Sequence, residues 1–170
     1  AGCVEIMNPE VEGVDISAIL DWAENEMPER ERLAYRDGDP VIGGLGLSYG
    51  GGFQLIGACI DPRFDALVPT ATWYDLSYSL APDNVVKTAW GAALVALGIP
   101  TSGVRLDPLL YRALAEGLAS TLTGRGLSQT VIDRLYNSSP ASFYDGHIAR
   151  DGQREPCETR RTPKVDVLLV

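Results

Sequence analysis

Apolar residues near the N-terminus recur at intervals of three and four, at Ile16, Ile19, Leu20 and Ala23. This spacing predicts a helix with one apolar face, and Asp15 is placed to cap its first turn. A polar loop over 28–39 then leads to a short apolar run, Val41, Ile42 and Leu45. The run predicts a buried strand.

Helical spacing resumes after this strand, at Phe53, Leu55, Ile56 and Ala58, and ends near Asp61 and Pro62. Residues 64–72 follow as a second apolar run, which predicts another buried strand centred on 66–68. Helix, strand, helix and strand in this order indicate an α/β fold with a parallel sheet and flanking helices.

From about Asp75 the pattern is helical only. It predicts helices over 84–97, 107–122 and 128–136, the last capped by Ser128, with breaks at 98–100 and 124–126. A charged loop over 149–164 and a final strand over 165–170 complete the chain. We therefore expect an α/β core formed by 1–75 and 160–170, with 76–159 as an inserted helical cap and return loop.

Charge and composition narrow the function classes. The 170 residues include 23 acidic and 14 basic ones, a net charge of −9, without a basic patch that contains aromatic residues. We therefore expect neither nucleic acid nor a membrane span. One histidine and three cysteines without metal spacing predict no metal site, and we expect no cofactor. One disulfide between Cys3 and Cys157 is compatible with the sequence, as is either a reducing or an oxidising compartment.

A serine framed by glycines, Gly46-Leu47-Ser48-Tyr49-Gly50, lies between the first predicted strand and the helix after it. Strand, sharp turn with a serine, and helix is the arrangement of a nucleophile elbow. There the Ser48 hydroxyl would stand clear of the sheet, and the backbone N–H of Tyr49 would point at a developing oxyanion.

Glycines around this serine have a steric explanation in such a turn. Gly46 and Gly50 would avoid a collision of side chains two residues to either side of Ser48, because glycine has no Cβ. Gly51 and Gly52 would let the new helix pack close to the sheet.

The same glycines leave two alternatives open. Gly46, Gly50 and Gly52 also have the spacing of the cofactor-binding turn of short-chain dehydrogenases, which would make the protein a nucleotide-dependent oxidoreductase. Against this, no tyrosine stands four positions before Lys87 or Lys164, as such enzymes usually require. The other alternative is a non-catalytic module in which Ser48 is merely exposed.

Several segments together resemble the α/β-hydrolases of the X-Pro dipeptidyl-peptidase and cocaine-esterase group. They are Asp15…Leu20-Asp21-Trp22, Gly46-Leu47-Ser48-Tyr49-Gly50-Gly51, Asp61-Pro62-Arg63-Phe64-Asp65-Ala66-Leu67-Val68-Pro69 and Trp73-Tyr74-Asp75-Leu76. The resemblance covers most of 1–90 and the last predicted strand, and it is looser across the helical insertion.

The resemblance implies a serine acyl hydrolase that cleaves an ester or amide bond through an acyl-enzyme on Ser48, with Tyr49 as backbone oxyanion donor. It also implies an acid just beyond the last strand, a histidine further on, and a second oxyanion donor before Ala1. We therefore expect this chain to be an internal piece of a longer parent. Its partners would be an acyl substrate and the remainder of that parent.

Other polar and aromatic residues have competing interpretations. His147, the single histidine, lies in a predicted loop and is more consistent with a loop residue than with a catalytic base. Asp166 starts its strand and is poorly placed as an acid, and Asp75 is expected to bind a nearby backbone N–H. The aromatic residues after the second strand either line a pocket under the cap or pack as core: Trp73, Tyr74, Tyr78 and Trp90.

Overall fold

The computed structural model describes residues 4–102 and 107–169. The helices are α1 (Glu12–Asn25), α2 (Tyr49–Ile60), α3 (Leu76–Leu80), α4 (Thr88–Ser102), α5 (Pro108–Thr123), α6 (Gln129–Asn137) and α7 (Pro140–Tyr144). The strands are β1 (Tyr35–Arg36), β2 (Asp39–Pro40), β3 (Ile42–Leu47), β4 (Phe64–Thr70), β5 (His147–Arg150), β6 (Gln153–Pro156) and β7 (Asp166–Val167). Cys3 of the compatible Cys3–Cys157 pair and Val170 at the end of the last predicted strand lie outside the described residues.

A parallel three-stranded sheet in the order β3-β4-β7 joins two strands from the N-terminal half to β7 near the C-terminus. Leu45 is opposite Val68 in the β3–β4 pair, and Ala66 is opposite Asp166 in the β4–β7 pair. The predicted α/β architecture with a parallel sheet is confirmed at this level. The last strand is shorter than the predicted 165–170, because only Asp166 and Val167 pair with β4.

The strand before Ser48 was predicted to be buried, but one of its two faces is exposed. Leu45 is 83% exposed and Leu47 is 66% exposed. Side chains alternate along a strand, and α2 packs against the face that carries Gly44, whose Cβ position lies 2.9 Å from the Gln54 side chain. Within the described part of the chain, the other face of β3 is therefore open.

Helix α1 differs from the prediction in its cap and in one face residue. It begins at Glu12 after Val11, without a side-chain cap, so Asp15 lies inside the helix. Ile16 is buried as predicted, but Ile19 is exposed, because the face directed at α2 runs through Gly13, Ile16 and Leu20. At Gly13 a Cβ would lie 2.3 Å from the Ile60 side chain, which shows how closely the two helices approach.

Helices α3 to α6 form a helical segment, in which one predicted helix is confirmed and another is corrected. Helix α5 matches closely: Asp107 accepts the Leu109 N–H at 2.7 Å, and Gly124 ends the helix with φ 66°. Helix α4 begins at Thr88 instead of Asn84, because Asn84 has φ 60° and its side chain binds the backbone of Leu127. The predicted break at 98–100 does not interrupt this helix, which continues to Ser102.

Ser128 occupies the N-cap position of α6, but its hydroxyl does not cap the helix. The Ser128 hydroxyl is buried without a hydrogen-bond partner among the described residues, while its backbone N–H donates to Glu116 at 2.7 Å. A side chain from α5 therefore contacts the start of α6.

The predicted charged loop over 149–164 contains an antiparallel hairpin, β5–β6. Arg150 pairs with Gln153 across a two-residue turn in which Asp151 and Gly152 both have positive φ, 50° and 78°. Asp-Gly is the sequence that this turn type favours. The loop prediction was wrong because the flanking residues are polar and show no apolar alternation.

Two clusters of buried apolar side chains hold these elements together. The first joins α1, α2 and β4 and consists of Met7, Ile16, Leu20, Leu55, Ile56, Ala58, Phe64, Leu67 and Phe143. The second lies in the helical segment and consists of Leu76, Ala81, Leu127, Val131 and Leu135. Trp73 packs against both clusters, directly after the strand that follows the Ser48 helix.

We expect Ile16→Ala to lower the free energy of unfolding by about 2–5 kcal/mol, because it leaves a cavity beside α2. Ile16 is 2% exposed, whereas Ile19, three residues away in the same helix, is 55% exposed. Ile19→Ala, the matched control, should change this free energy by no more than about 0.5 kcal/mol. Urea unfolding measures both values, and equal losses would contradict the assigned helix face.

An ion-pair cluster centred on Arg63 connects α1 to the turn before β4. Its guanidinium lies 2.6 Å from Asp61, 2.8 Å from Asp21 and 2.9 Å from Glu24. The hydrogen bonds from Arg63 lower the pKa of the buried Asp61 carboxyl to about 2. The charged form of Asp61 is therefore favoured in the folded state.

This lowered pKa predicts an acid-dependent loss of stability. The stabilisation is complete above the unfolded-state pKa of about 3.9 and is lost as the pH falls towards 2. The difference in unfolding free energy between wild type and Asp61→Asn should shrink by about 2 kcal/mol between pH 5 and pH 2. Urea unfolding at several pH values measures it, and a difference independent of pH would refute the assignment.

Candidate active site

Ser48 lies in a tight turn between β3 and α2, as the sequence predicts. Its backbone has φ 54° and ψ −111°, a conformation that residues other than glycine seldom adopt. Two hydrogen bonds hold it there: the Ser48 N–H donates to the Thr70 carbonyl at 2.9 Å, and the Thr72 hydroxyl donates to the Ser48 carbonyl at 2.8 Å. Neighbouring strand β4 thus stabilises the strained turn.

The glycines of the turn allow its close contacts, with one exception. A Cβ at Gly46 would lie 2.5 Å from the carbonyl carbon of Gly50, so the expected collision is confirmed at Gly46. The expected collision at Gly50 is wrong, because a Cβ there meets no atom within 4 Å in the part of the chain that the structure describes. At Gly51 and Gly52, a Cβ would lie 2.7 Å from Thr72 and 2.5 Å from Trp73. These two glycines therefore let α2 pack against the segment after β4.

The N-terminus of α2 begins at the residue after the serine. The N–H groups of Gly51 and Gly52 both donate to the Ser48 carbonyl, at 3.0 and 3.1 Å. Tyr49 is the first residue of the helix, and the N–H at this position has no acceptor within its own helix. The positive end of the helix dipole thus lies beside the Ser48 side chain.

The phenol of Tyr49 has a structural role that the sequence did not indicate. It donates to Glu12 at 2.9 Å and accepts the Met7 N–H at 3.0 Å. Burial and the Glu12 carboxylate raise the pKa of Tyr49 well above its usual value. Glu12 also accepts the N–H groups of Glu5, at 3.0 Å, and Met7. The N-terminal segment is thereby attached to the serine turn.

A cavity of about 640 Å³ lies between the serine turn and the helical segment. Ser48 and Tyr49 form part of its wall, and helices α3, α4 and α5 contribute most of the remainder. Among the described residues that line it, Lys87 carries the only charged side chain. Its volume is within the range of small-molecule sites, about 300–1,000 Å³.

Two of the four aromatic candidates for a pocket wall, Trp73 and Trp90, line this cavity. The Trp73 ring lies edge-on to that of Tyr49, with centroids 6.0 Å apart. Tyr74 and Tyr78 do not line it: both are exposed, and Tyr74 packs against Tyr144 with ring centroids 5.9 Å apart. Neither tyrosine is therefore part of the cavity wall beside Ser48.

The other candidate residues lie outside the cavity wall. His147 begins β5, and its Nδ1 lies 2.5 Å from the Asp145 carbonyl oxygen. Asp75 accepts the N–H groups of Ser77 and Tyr78 at 2.9 and 3.2 Å, which confirms its expected backbone contacts. Asp166 is paired with β4 in the sheet. The structure therefore brings none of these three to Ser48.

The residues that the sequence analysis missed are those of the cavity wall in the helical segment. Leu110, Leu114 and Leu118 recur every four residues on α5 and all line the cavity. This spacing was visible, but it indicated only an amphipathic helix, because it does not specify which neighbour the apolar face meets. Lys87 had no sequence signal, since its place in the wall depends on where α4 begins.

Neither a metal site nor a membrane-spanning helix is found among the described residues. No three His, Cys, Asp or Glu side chains come together as a metal site would require within 4–102 and 107–169. Over the same residues, no helix combines the length and apolar character needed to cross a membrane.

Gly46→Ala and Gly50→Ala form a matched test of the turn. We expect Gly46→Ala to lower the unfolding free energy by about 1–3 kcal/mol, because its methyl group would overlap the Gly50 backbone. Gly50→Ala meets open space in a helix, so stability should stay constant or rise by up to about 1 kcal/mol. Urea unfolding compares the two, and equal losses would contradict this account of the turn.

Comparison of the chain with models of protein families and with curated proteins finds no match.

Proposed function

We propose that the protein is a serine acyl hydrolase in which Ser48 is the nucleophile and the Tyr49 N–H stabilises the oxyanion. The observation that carries this proposal is the strained turn itself. It presents an exposed serine at the wall of an apolar cavity and beside the positive end of a helix.

The proposed reaction uses each part of this geometry. The Ser48 oxygen attacks the carbonyl carbon of an ester or amide while its proton passes to a base. The carbonyl oxygen becomes an oxyanion near the Tyr49 N–H. When the tetrahedral intermediate collapses, the leaving group takes up that proton, and an acyl-enzyme forms. Water then hydrolyses the acyl-enzyme by the same route in reverse.

The base and the acid of this reaction are proposed to come from outside these 170 residues, such as from another part of a longer polypeptide. His147 is the one histidine of the sequence and does not line the cavity. Without a base, a serine hydroxyl is a weak nucleophile. The isolated chain is therefore expected to have little activity of its own.

Labelling with an activated fluorophosphonate tests the proposal. The full-length parent should label at Ser48, as mapped by mass spectrometry, and Ser48→Ala should abolish the labelling. Ser79→Ala is the matched control, because Ser79 also lines the cavity but donates its hydroxyl to the Asp75 carbonyl at 2.8 Å. The isolated chain should label at least a thousandfold more slowly, since loss of triad members removes several powers of ten in rate.

Two outcomes would contradict the proposal. A parent in which no serine labels would favour the non-catalytic module. Rapid labelling of the isolated chain that is lost in His147→Ala would show that the triad is internal and that the base is assigned wrongly.

A further inference from the structure

We propose that the acyl group accepted by this site is a medium-length aliphatic chain, held in the cavity beside Ser48. This inference rests on the proposed function for its chemistry, but it concerns the ligand class that the cavity binds. Two observations support it. The side chains of the cavity wall are largely aliphatic, and hydroxyl groups in the wall already donate hydrogen bonds to the backbone.

The wall is formed largely by aliphatic side chains from four helices. They include Leu76 and Leu80 of α3, Leu94 of α4, Leu110 and Leu118 of α5, and Leu135 of α6. A hydrocarbon chain gains free energy from leaving water for such a wall, roughly in proportion to the area that it buries. The cavity volume, about 640 Å³, leaves room for more than a short acetyl or propionyl group.

Hydroxyl groups in the wall are already engaged with the protein backbone. Thr72 donates to the Ser48 carbonyl at 2.8 Å, Ser79 to the Asp75 carbonyl at 2.8 Å, and Thr88 to the Gly117 carbonyl at 3.1 Å. A polar ligand would find few free partners here, and a buried polar group without one costs about 1–3 kcal/mol. The wall therefore favours an aliphatic acyl group over a peptide.

The polar groups that remain for the head of the ligand include the Tyr49 N–H, the Trp73 indole N–H, which has no partner among the described residues, and two further side chains. The Ser48 hydroxyl has no hydrogen-bond partner among the residues described, and Lys87 supplies a positive charge to the wall. In the proposed reaction the acyl carbon must reach the Ser48 oxygen, so the polar end of the acyl chain lies at the serine turn and its hydrocarbon lies against the helices. Lys87, directly before α4, can attract a free carboxylate.

Gly91 offers a way to shorten this cavity without disturbing the fold. It lies in α4 and lines the cavity, and a Cβ there meets no atom of the described residues within 4 Å. Gly91→Leu would place an isobutyl group in this open space. The change also replaces a helical glycine by a residue with a higher helix propensity.

Binding of butanoate, hexanoate and octanoate to the 170-residue chain tests the ligand class by tryptophan fluorescence. A Trp22→Phe background leaves Trp73 and Trp90, which both line the cavity. We expect the affinity to rise about three- to fourfold for each added methylene. Gly91→Leu should weaken octanoate binding at least tenfold and change butanoate binding less than threefold.

Ala115→Leu is the matched control, because Ala115 is exposed on α5 and does not line the cavity. It should leave all three affinities unchanged. An affinity independent of chain length, or equal effects of the two leucine variants, would overturn the inference.

The assay separates this inference from the proposed function, because binding needs no reactive serine. Chain-length-dependent binding together with an unlabelled parent would refute the hydrolase and retain the aliphatic site. A labelled parent without chain-length dependence would retain the hydrolase and refute the aliphatic site.

Discussion

Close approach of two backbones at the serine turn is the constraint on which the rest of the site depends. At Gly46 even a methyl group would overlap the Gly50 backbone, and at Gly52 it would overlap the Trp73 ring. Helix α2 can therefore start directly after Ser48 and lie against the segment that follows β4. That segment places Trp73 against both buried clusters, so the contacts that position the serine also connect its turn to helices α3 and α6.

The sequence predicted correctly those parts of the fold that depend on contacts between residues close together in the chain. The position of the Ser48 turn and the limits of α5 follow from glycines, a capping aspartate and apolar spacing, all close in sequence. The Asp151-Gly152 turn was equally local, but its flanking residues are polar, and the hairpin was missed. The Asp-Gly turn alone did not predict two strands, because the residues on either side of it do not alternate between apolar and polar.

Distant contacts determine what the sequence analysis missed. The start of α4 is set by Asn84, whose side chain binds the backbone of Leu127, 43 positions away. Tyr74 and Tyr78 were candidates for a pocket wall or for the core because they neighbour Trp73 in the chain, yet both are exposed and lie outside the cavity wall. Residues that are neighbours in the sequence line the same site only where the backbone between them does not turn away from it.

The open face of β3 has a consequence for how the isolated chain behaves in concentrated solution. β3 is an edge strand of the described sheet, and it carries two exposed leucines. Such an edge favours pairing with other molecules. The net charge of −9 opposes that pairing by mutual repulsion, and dissolved salt at 0.1 M screens this repulsion beyond about 10 Å. The colloidal stability of the chain is therefore a balance between an apolar strand edge and a diffuse negative charge, and the ionic strength of the medium shifts that balance.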